Sequence, residues 1–154
     1  MSSVSRLLRA QPTPLVDRTG ELDAILQRLT VEGARLLTLT GPAGVGKTRL
    51  ALAAAQLAEQ VPDRFPDGVV VVDLTPVRDP HQVLGALARA CGFTDTDSPP
   101  LGERLAAFLR ERALLLVLDN VGQTPPTLPP WLYGPGPGAP PATAGYLHLP
   151  HAVL

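Results

Sequence analysis

Several features are scarce in this 154-residue sequence, and each scarcity excludes a class of protein. The single cysteine, Cys91, excludes an intramolecular disulfide framework and is typical of a reducing compartment. The formal net charge is −1, so no positive excess indicates binding to nucleic acid or to an anionic membrane. The longest unbroken apolar runs have six residues, whereas a helix that spans a membrane needs about 20. We therefore expect a cytoplasmic protein of one domain with no membrane segment and no direct contact with nucleic acid.

Lysine is also nearly absent, which makes the position of the one lysine informative. The chain has 12 arginines but one lysine, one isoleucine and one asparagine, a bias that indicates a gene rich in G and C. The lone lysine, Lys47, lies in the octapeptide Gly-Pro-Ala-Gly-Val-Gly-Lys-Thr at residues 41–48, which we call the phosphate loop. This octapeptide satisfies the pattern G-x-x-x-x-G-K-[ST], and a predicted strand and a predicted helix flank it as the pattern requires.

Apolar periodicity predicts a helix, a strand, a helix, a strand, two helices and a strand in that order. The predicted elements are a helix beginning near Glu21, a strand at residues 36–40, a helix from the phosphate loop to Pro62, a strand at residues 69–72, a helix from Pro80 to a cap at Gly92, a helix over residues 101–109, and a strand at residues 114–118. Such alternation is typical of an α/β fold with a mostly parallel sheet. Together with the phosphate loop it predicts an incomplete P-loop NTPase fold with three layers, αβα.

The composition divides the chain into three parts. Residues 1–14 are predicted to be a flexible lead-in, and residues 15–121 carry the predicted α/β elements. After Asp119 there is no Asp, Glu, Lys or Arg, and proline with glycine makes up 14 of the last 35 residues. We therefore predict an irregular, low-complexity and disordered tail at residues 122–154, in which residues 146–149 are at best a weak strand. Alternatively, the apolar residues 131–133 pack on an open edge of the domain.

Each residue type of the phosphate loop has a physical role in holding a polyphosphate. Glycines allow the loop to turn its N–H groups inward around phosphate oxygens, and the helix that follows adds a partial positive charge at its N-terminus. The Lys47 ammonium can reach the β- and γ-phosphates, and the Thr48 hydroxyl can ligate Mg²⁺. The candidate nucleotide-binding residues are Gly41, Pro42, Ala43, Gly44, Val45, Gly46, Lys47, Thr48 and the adjacent Arg49.

A second magnesium ligand is expected from an acid that ends a neighbouring buried strand. Asp73 and Asp119 both fit this pattern, and the longer apolar run before Asp119 favours it as the ligand, together with Thr48. Hydrolysis also requires a group that orients the attacking water, and Asn120 follows Asp119 where many P-loop ATPases have an acid. Because an amide is a poor proton acceptor, we predict slow hydrolysis, with Lys47, Asp119 and Asn120 as the catalytic candidates.

Three segments resemble the NB-ARC-type signal-transduction ATPases, and most closely the bacterial transcriptional regulators that carry this module. They are Thr-Leu-Thr-Gly-Pro-Ala-Gly-Val-Gly-Lys-Thr-Arg-Leu-Ala at residues 38–51, Phe-Pro-Asp-Gly-Val-Val-Val-Val-Asp-Leu at residues 65–74 and Leu-Leu-Val-Leu-Asp-Asn at residues 115–120. The resemblance covers about residues 15–121 and implies an ADP-bound resting state that exchanges ADP for ATP. In that family a Val-Gly-Arg-Glu segment binds the adenine side, which implies this role for Val16 and Arg18.

The resemblance further implies a five-stranded sheet, in which a strand that follows Asn120 in sequence lies between the phosphate-loop strand and the Asp119 strand. No such strand with the family's Thr-Ser-Arg ending follows Asn120, nor do the family's C-terminal regulatory domains. Three outcomes are open: residues 146–149 substitute poorly for the strand, the two flanking strands pair directly, or the isolated chain is only marginally folded. A truncated or frameshifted gene would explain why the charged residues and the family's strand are missing after Asn120. If another reading frame beyond codon 121 encodes a Thr-Ser-Arg strand, this hypothesis is supported; if none does, it fails. Besides a regulatory ATP/ADP switch with Mg²⁺, a non-functional fragment and a small P-loop kinase or active ATPase remain alternatives.

Overall fold

Helices and strands alternate along the chain in the predicted order. The computed structural model describes residues 17–32, 36–42, 44–93, 99–119 and 145–148. These residues form helices α1 (Thr19–Thr30), α2 (Lys47–Ala58), α3 (Val83–Ala90) and α4 (Leu101–Arg110), strands β1 (Leu36–Thr38), β2 (Val69–Asp73), β3 (Leu115–Asp119) and β4 (Gly145–His148), and a 3₁₀ turn at Pro80–Gln82. The predicted α/β class is confirmed, and the predicted bounds differ from the observed ones by a few residues at most of the ends.

The four strands form one parallel sheet in the order β1-β4-β3-β2. Strands β2 and β3 pair along their whole length, from Val69 opposite Leu115 to Asp73 opposite Asp119. Because all strands are parallel, their carboxyl ends meet at one edge of the sheet, which is where α/β proteins bind their ligands.

Alternate residues of β2 and β3 face opposite layers of helices, as the two-residue period of a strand requires. Val71 and Val117 belong to a core shared with α1 and α2, whereas Val72 and Leu118 belong to a second core shared with α3 and α4. The sheet is therefore covered on both faces, and the three-layer αβα arrangement is confirmed.

Small side chains bring α2 close to the sheet. Six of its twelve residues are buried, and four of these are alanines. Alanine has the highest helix propensity and allows close packing of a helix on its neighbours. The N-terminus of α2, where the phosphate loop ends, is thereby held next to the carboxyl end of β3.

Strand β4 occupies the position between β1 and β3 that the sequence left open. Its residues pair with Leu36–Thr38 on one side and with residues 115–118 on the other. The first of the three alternatives, substitution by this segment, is therefore observed, and β1 and β3 do not pair directly. At Gly145–His148 the structure differs from the expected tail without regular structure, because a short uncharged segment supplies the backbone groups that β1 and β3 require on the sides that face one another. The rest of residues 122–154, with residues 131–133, and the predicted lead-in at 1–14 lie outside the described residues.

Of the helices that the structure describes, none has the length and apolar character needed to cross a membrane.

The central position of β4 predicts a strong effect of a proline within it. We expect Leu147→Pro to lower the melting temperature of the protein well below that of Leu147→Ala, because proline removes a backbone N–H from a strand paired on both sides. Each buried backbone group left unpaired costs about 1–3 kcal/mol. Thermal melts followed by circular dichroism measure the difference. Equal melting temperatures for the two variants would show that residues 145–148 do not stabilise the sheet.

Candidate functional site

The phosphate loop lies at the edge of the sheet where the strands end. It follows β1 and leads directly into α2, whose first residue is Lys47. Asp73 and Asp119 are the last residues of β2 and β3 at the same edge. The parallel arrangement therefore brings together three segments that are far apart in the sequence.

Glycine is required at Gly46, the residue that precedes α2. Its φ is +87°, a conformation that residues with a side chain rarely adopt, and its carbonyl accepts the first helical hydrogen bond, from Leu50 N at 3.0 Å. A Cβ at this position would lie 3.2 Å from Nη1 of Arg18. The backbone conformation therefore disfavours larger residues at position 46, and a larger residue would also require the Arg18 side chain to shift by a few tenths of an ångström.

The Lys47 side chain lies along the phosphate loop towards its beginning. Its Nζ donates hydrogen bonds to the carbonyl oxygens of Gly41, at 2.8 Å, and Pro42, at 3.0 Å. These two bonds hold the ammonium group against the loop, close to the backbone that would surround a phosphate. Negatively charged phosphate oxygens are stronger acceptors for an ammonium than neutral carbonyls.

Thr48 and Asp119, the two predicted magnesium ligands, are joined by a hydrogen bond. Thr48 Oγ1 donates to Asp119 Oδ1 at 2.9 Å, although the residues are 71 positions apart. Asp119 is the one charged side chain that is buried among the described residues, with 9% of its surface exposed. A hydroxyl and a carboxylate oxygen are ligands that suit Mg²⁺, which commonly takes one or two protein ligands together with phosphate and water. The donor set therefore fits a magnesium ion bound with nucleotide.

Asp73, the alternative carboxylate, forms hydrogen bonds within a local turn. Its Oδ1 accepts hydrogen bonds from the backbone N of Thr75, at 2.8 Å, and from the Thr75 hydroxyl. The Asp73 side chain is exposed, in contrast to that of Asp119. Asp119 is thus the strand-end aspartate that contacts Thr48, and its role as a magnesium ligand remains a prediction.

Arg18 connects the start of α1 to the phosphate loop. Its Nη1 donates to the carbonyl oxygen of Val45 at 2.7 Å, and its Nε donates to Glu21 Oε1 at 2.8 Å. A second bond from Nη2 to Glu21 Oε2 completes a two-pronged ion pair. The hydrogen bond with Arg18 lowers the pKa of the Glu21 carboxyl and raises that of the guanidinium, so the pair stays charged at neutral pH. No sequence pattern singled out Glu21 as part of the site, although it lies three residues after Arg18, the residue that directly precedes α1.

The structure describes some of the remaining site candidates and not others. Pro42, Gly44 and Val45 are exposed on the phosphate loop, and Arg49 is half-buried on the first turn of α2. The other candidates lie outside the described residues, so their roles remain predictions: Val16, Ala43 and Asn120.

A parallel sheet covered by helices on both faces, with a glycine-rich loop between its first strand and the next helix, defines the P-loop NTPase fold. The model of the AAA_22 family, described as an AAA domain, matches residues 28–127. This match covers more than half of the chain, and the chain belongs to that family.

Several curated relatives are named as regulators. The regulatory protein AfsR of Streptomyces coelicolor is 35% identical over 140 residues, which cover 77% of this chain and 14% of AfsR. A Mycobacterium tuberculosis protein named as an HTH-type transcriptional regulator is 41% identical over 86 residues, 56% of this chain and 9% of that protein. The chain thus spans a small part of the length of these relatives.

Solved structures share the fold. Cdc6p from Pyrobaculum aerophilum matches 92% of this chain and 40% of its own, with a TM-score of 0.68 and 20% identity. The ORC2 protein of Aeropyrum pernix, solved as ADPNP–ADP complexes, matches 91% of this chain and 42% of its own, with a TM-score of 0.60 and 19% identity. At these identities the likeness shows the fold alone, while the NB-ARC resemblance remains a prediction.

The bond between Thr48 and Asp119 generates a prediction about stability without any ligand. We expect Thr48→Val to lower the free energy of unfolding by about 1–3 kcal/mol, because a buried carboxylate oxygen loses a hydrogen-bond donor. Thr48→Ser is the matched control, since it keeps the hydroxyl. Urea unfolding curves of the two variants and the wild type measure the effect. A serine variant as unstable as the valine variant would contradict the role of the hydroxyl.

Proposed function

We propose that this chain is an ATP- and ADP-binding regulatory domain that works as a nucleotide-dependent switch with slow hydrolysis. The observation that carries the proposal is the hydrogen bond between Thr48 and Asp119 at the end of the phosphate loop. A glycine-rich loop alone can be a structural turn, but a turn has no need of a buried carboxylate held against the first hydroxyl of the next helix. This pairing is what the binding of Mg²⁺ with a polyphosphate requires.

Three sources of positive potential favour a polyphosphate at the loop. The N-terminus of α2 contributes a partial positive charge, and the loop contributes backbone N–H groups. Lys47 supplies a full charge, held by bonds to Gly41 and Pro42 that phosphate oxygens would replace. Mg²⁺, when bound, offsets the charge of the phosphates, and Thr48 and Asp119 are the residues that would hold it.

Adenine is the base we propose. Membership of an AAA family supports this choice, as does the ADPNP–ADP complex of a structural neighbour with the same fold. The resemblance to the NB-ARC-type ATPases implies a role on the adenine side for Val16 and Arg18, which we include in the proposal. Arg18 lies next to the loop, where it donates hydrogen bonds to Val45 O and to Glu21.

A role as a switch is supported by the nature of the relatives. Regulators that match this chain are several times longer, so the domain is joined to others in those proteins. We propose that the exchange of ADP for ATP changes how such domains pack, and that slow hydrolysis resets the state. Asn120 beside Asp119 supports slow hydrolysis, because an amide orients water but accepts a proton poorly. We further propose that the protein acts in the cytoplasm.

Thermal melting with and without Mg·ATP tests the proposed function. Ligand at about 100 times its dissociation constant stabilises the folded state by about 2.7 kcal/mol, so the melting temperature of the wild type should rise. Lys47→Ala should abolish the rise, whereas Arg89→Ala, which removes an exposed positive charge from α3, should preserve it. An equal rise in the Lys47→Ala variant would refute the site, and no rise in the wild type would favour a non-functional fragment.

The magnesium ligand is tested by comparing the two strand-end aspartates. We expect Asp119→Asn to remove most of the increase in ATP affinity that Mg²⁺ produces, because the variant loses the charge that would hold the ion. Asp73→Asn should keep that increase, since its carboxylate is bonded to Thr75 instead. Titration of fluorescent ATP with and without Mg²⁺ measures both effects. The opposite pattern would assign the ligand to Asp73.

A further inference from the structure

Arg18 lies mostly covered between the start of α1 and the tip of the phosphate loop. Its side chain is 23% exposed, whereas its partner Glu21 is 55% exposed. Glu21 holds the guanidinium through two nitrogens, and the third nitrogen donates to Val45 O at 2.7 Å. Because the fork of the ion pair fixes the plane of the guanidinium, the direction of the bond to Val45 is fixed as well.

The bond to Val45 also determines where the next amide points. A trans peptide is planar, and its C=O and N–H groups point in opposite directions. The carbonyl of Val45 points at Arg18, so the N–H of Gly46 in the same peptide points away from Arg18. Gly46 directly precedes Lys47 and Thr48, so its amide belongs to the row of backbone groups available to a polyphosphate.

The glycine at position 46 leaves space for the end of the Arg18 side chain. A Cβ at position 46 would lie 3.2 Å from Arg18 Nη1, and the φ of +87° disfavours any side chain there. The loop glycine thus makes room for the arginine as well as for the turn of the backbone.

We propose that Arg18, held by Glu21, is a positioning residue that fixes the Val45–Gly46 peptide so that the Gly46 amide faces the bound phosphates. This inference rests on the proposed function, and it differs from a role at the adenine base. A base-contacting residue affects only ligands that carry a base, whereas a residue that shapes the loop affects every polyphosphate.

Inorganic tripolyphosphate and ATP, titrated side by side by calorimetry, separate these two roles. We expect Arg18→Ala to weaken both ligands by the same factor, about tenfold, as for the loss of one charge-assisted hydrogen bond. Arg18→Lys should restore part of the affinity, since an ammonium can still donate to Val45 O. Arg28→Ala, which removes an exposed arginine from the same helix, should bind both ligands like the wild type.

Glu21 provides an internal check, because among the described residues its carboxylate is linked to the loop through Arg18. Glu21→Gln should weaken tripolyphosphate binding by a few-fold in the wild-type background and have no further effect in the Arg18→Ala background. Amide hydrogen exchange without ligand gives a readout that does not depend on binding. The peptide covering residues 41–48 should exchange faster in Arg18→Ala than in Arg28→Ala.

Several results would overturn the proposal. If Arg18→Ala weakens ATP but not tripolyphosphate, Arg18 acts on the base. If exchange in the loop is unchanged, or if Glu21→Gln and Arg18→Ala act additively, Arg18 does not position the loop. If the wild type and Arg28→Ala bind neither ligand, the proposed function fails and this proposal with it. Thermal melts of each variant, with Arg18→Lys as the milder change, identify a loss of folding.

Discussion

The hydrogen bond between Thr48 and Asp119 joins the phosphate loop and the first turn of α2 to the end of β3. It forms because the Ala-rich helix α2 lies close to a parallel sheet, which brings its first turn against the end of β3. A buried carboxylate is unfavourable without polar partners, so the position of Asp119 and the position of Thr48 stabilise each other. The geometry that would accept a magnesium ion is therefore also part of the packing of the domain.

The sheet depends on a similar requirement at its centre. Strands β1 and β3 each need a partner on the side where they face one another, because buried backbone groups without hydrogen bonds are strongly unfavourable. Residues 145–148 meet this requirement by backbone pairing. Such pairing places few demands on side chains, which explains how a segment with a weak strand pattern takes a central position. The strand that precedes the phosphate loop and the strand that ends at Asp119 are thereby held in the same sheet.

Part of the site could be predicted from the sequence because it depends on residues that are consecutive in the chain. The eight residues 41–48 carry their chemistry in order, and the strand before and helix after them follow from apolar periodicity. The α/β class followed from the same periodicity. The choice between Asp73 and Asp119 was only a preference, since both end apolar strands. The structure shows what each carboxylate contacts, which is the nearby Thr75 for Asp73 and the distant Thr48 for Asp119, and the magnesium ligand itself stays a prediction.

Other features depended on contacts that no local pattern encodes. The bond of Arg18 to the Val45 carbonyl spans 27 residues, and the sequence offered only a family resemblance for Arg18 and no role for Glu21. The sequence by itself determined the order of helices and strands, the phosphate loop and its possible ligands, because these depend on residues close together in the chain. Only the tertiary structure decided which aspartate pairs with Thr48, where Arg18 is anchored and which segment completes the sheet, because each of these results from packing between residues that are far apart in sequence.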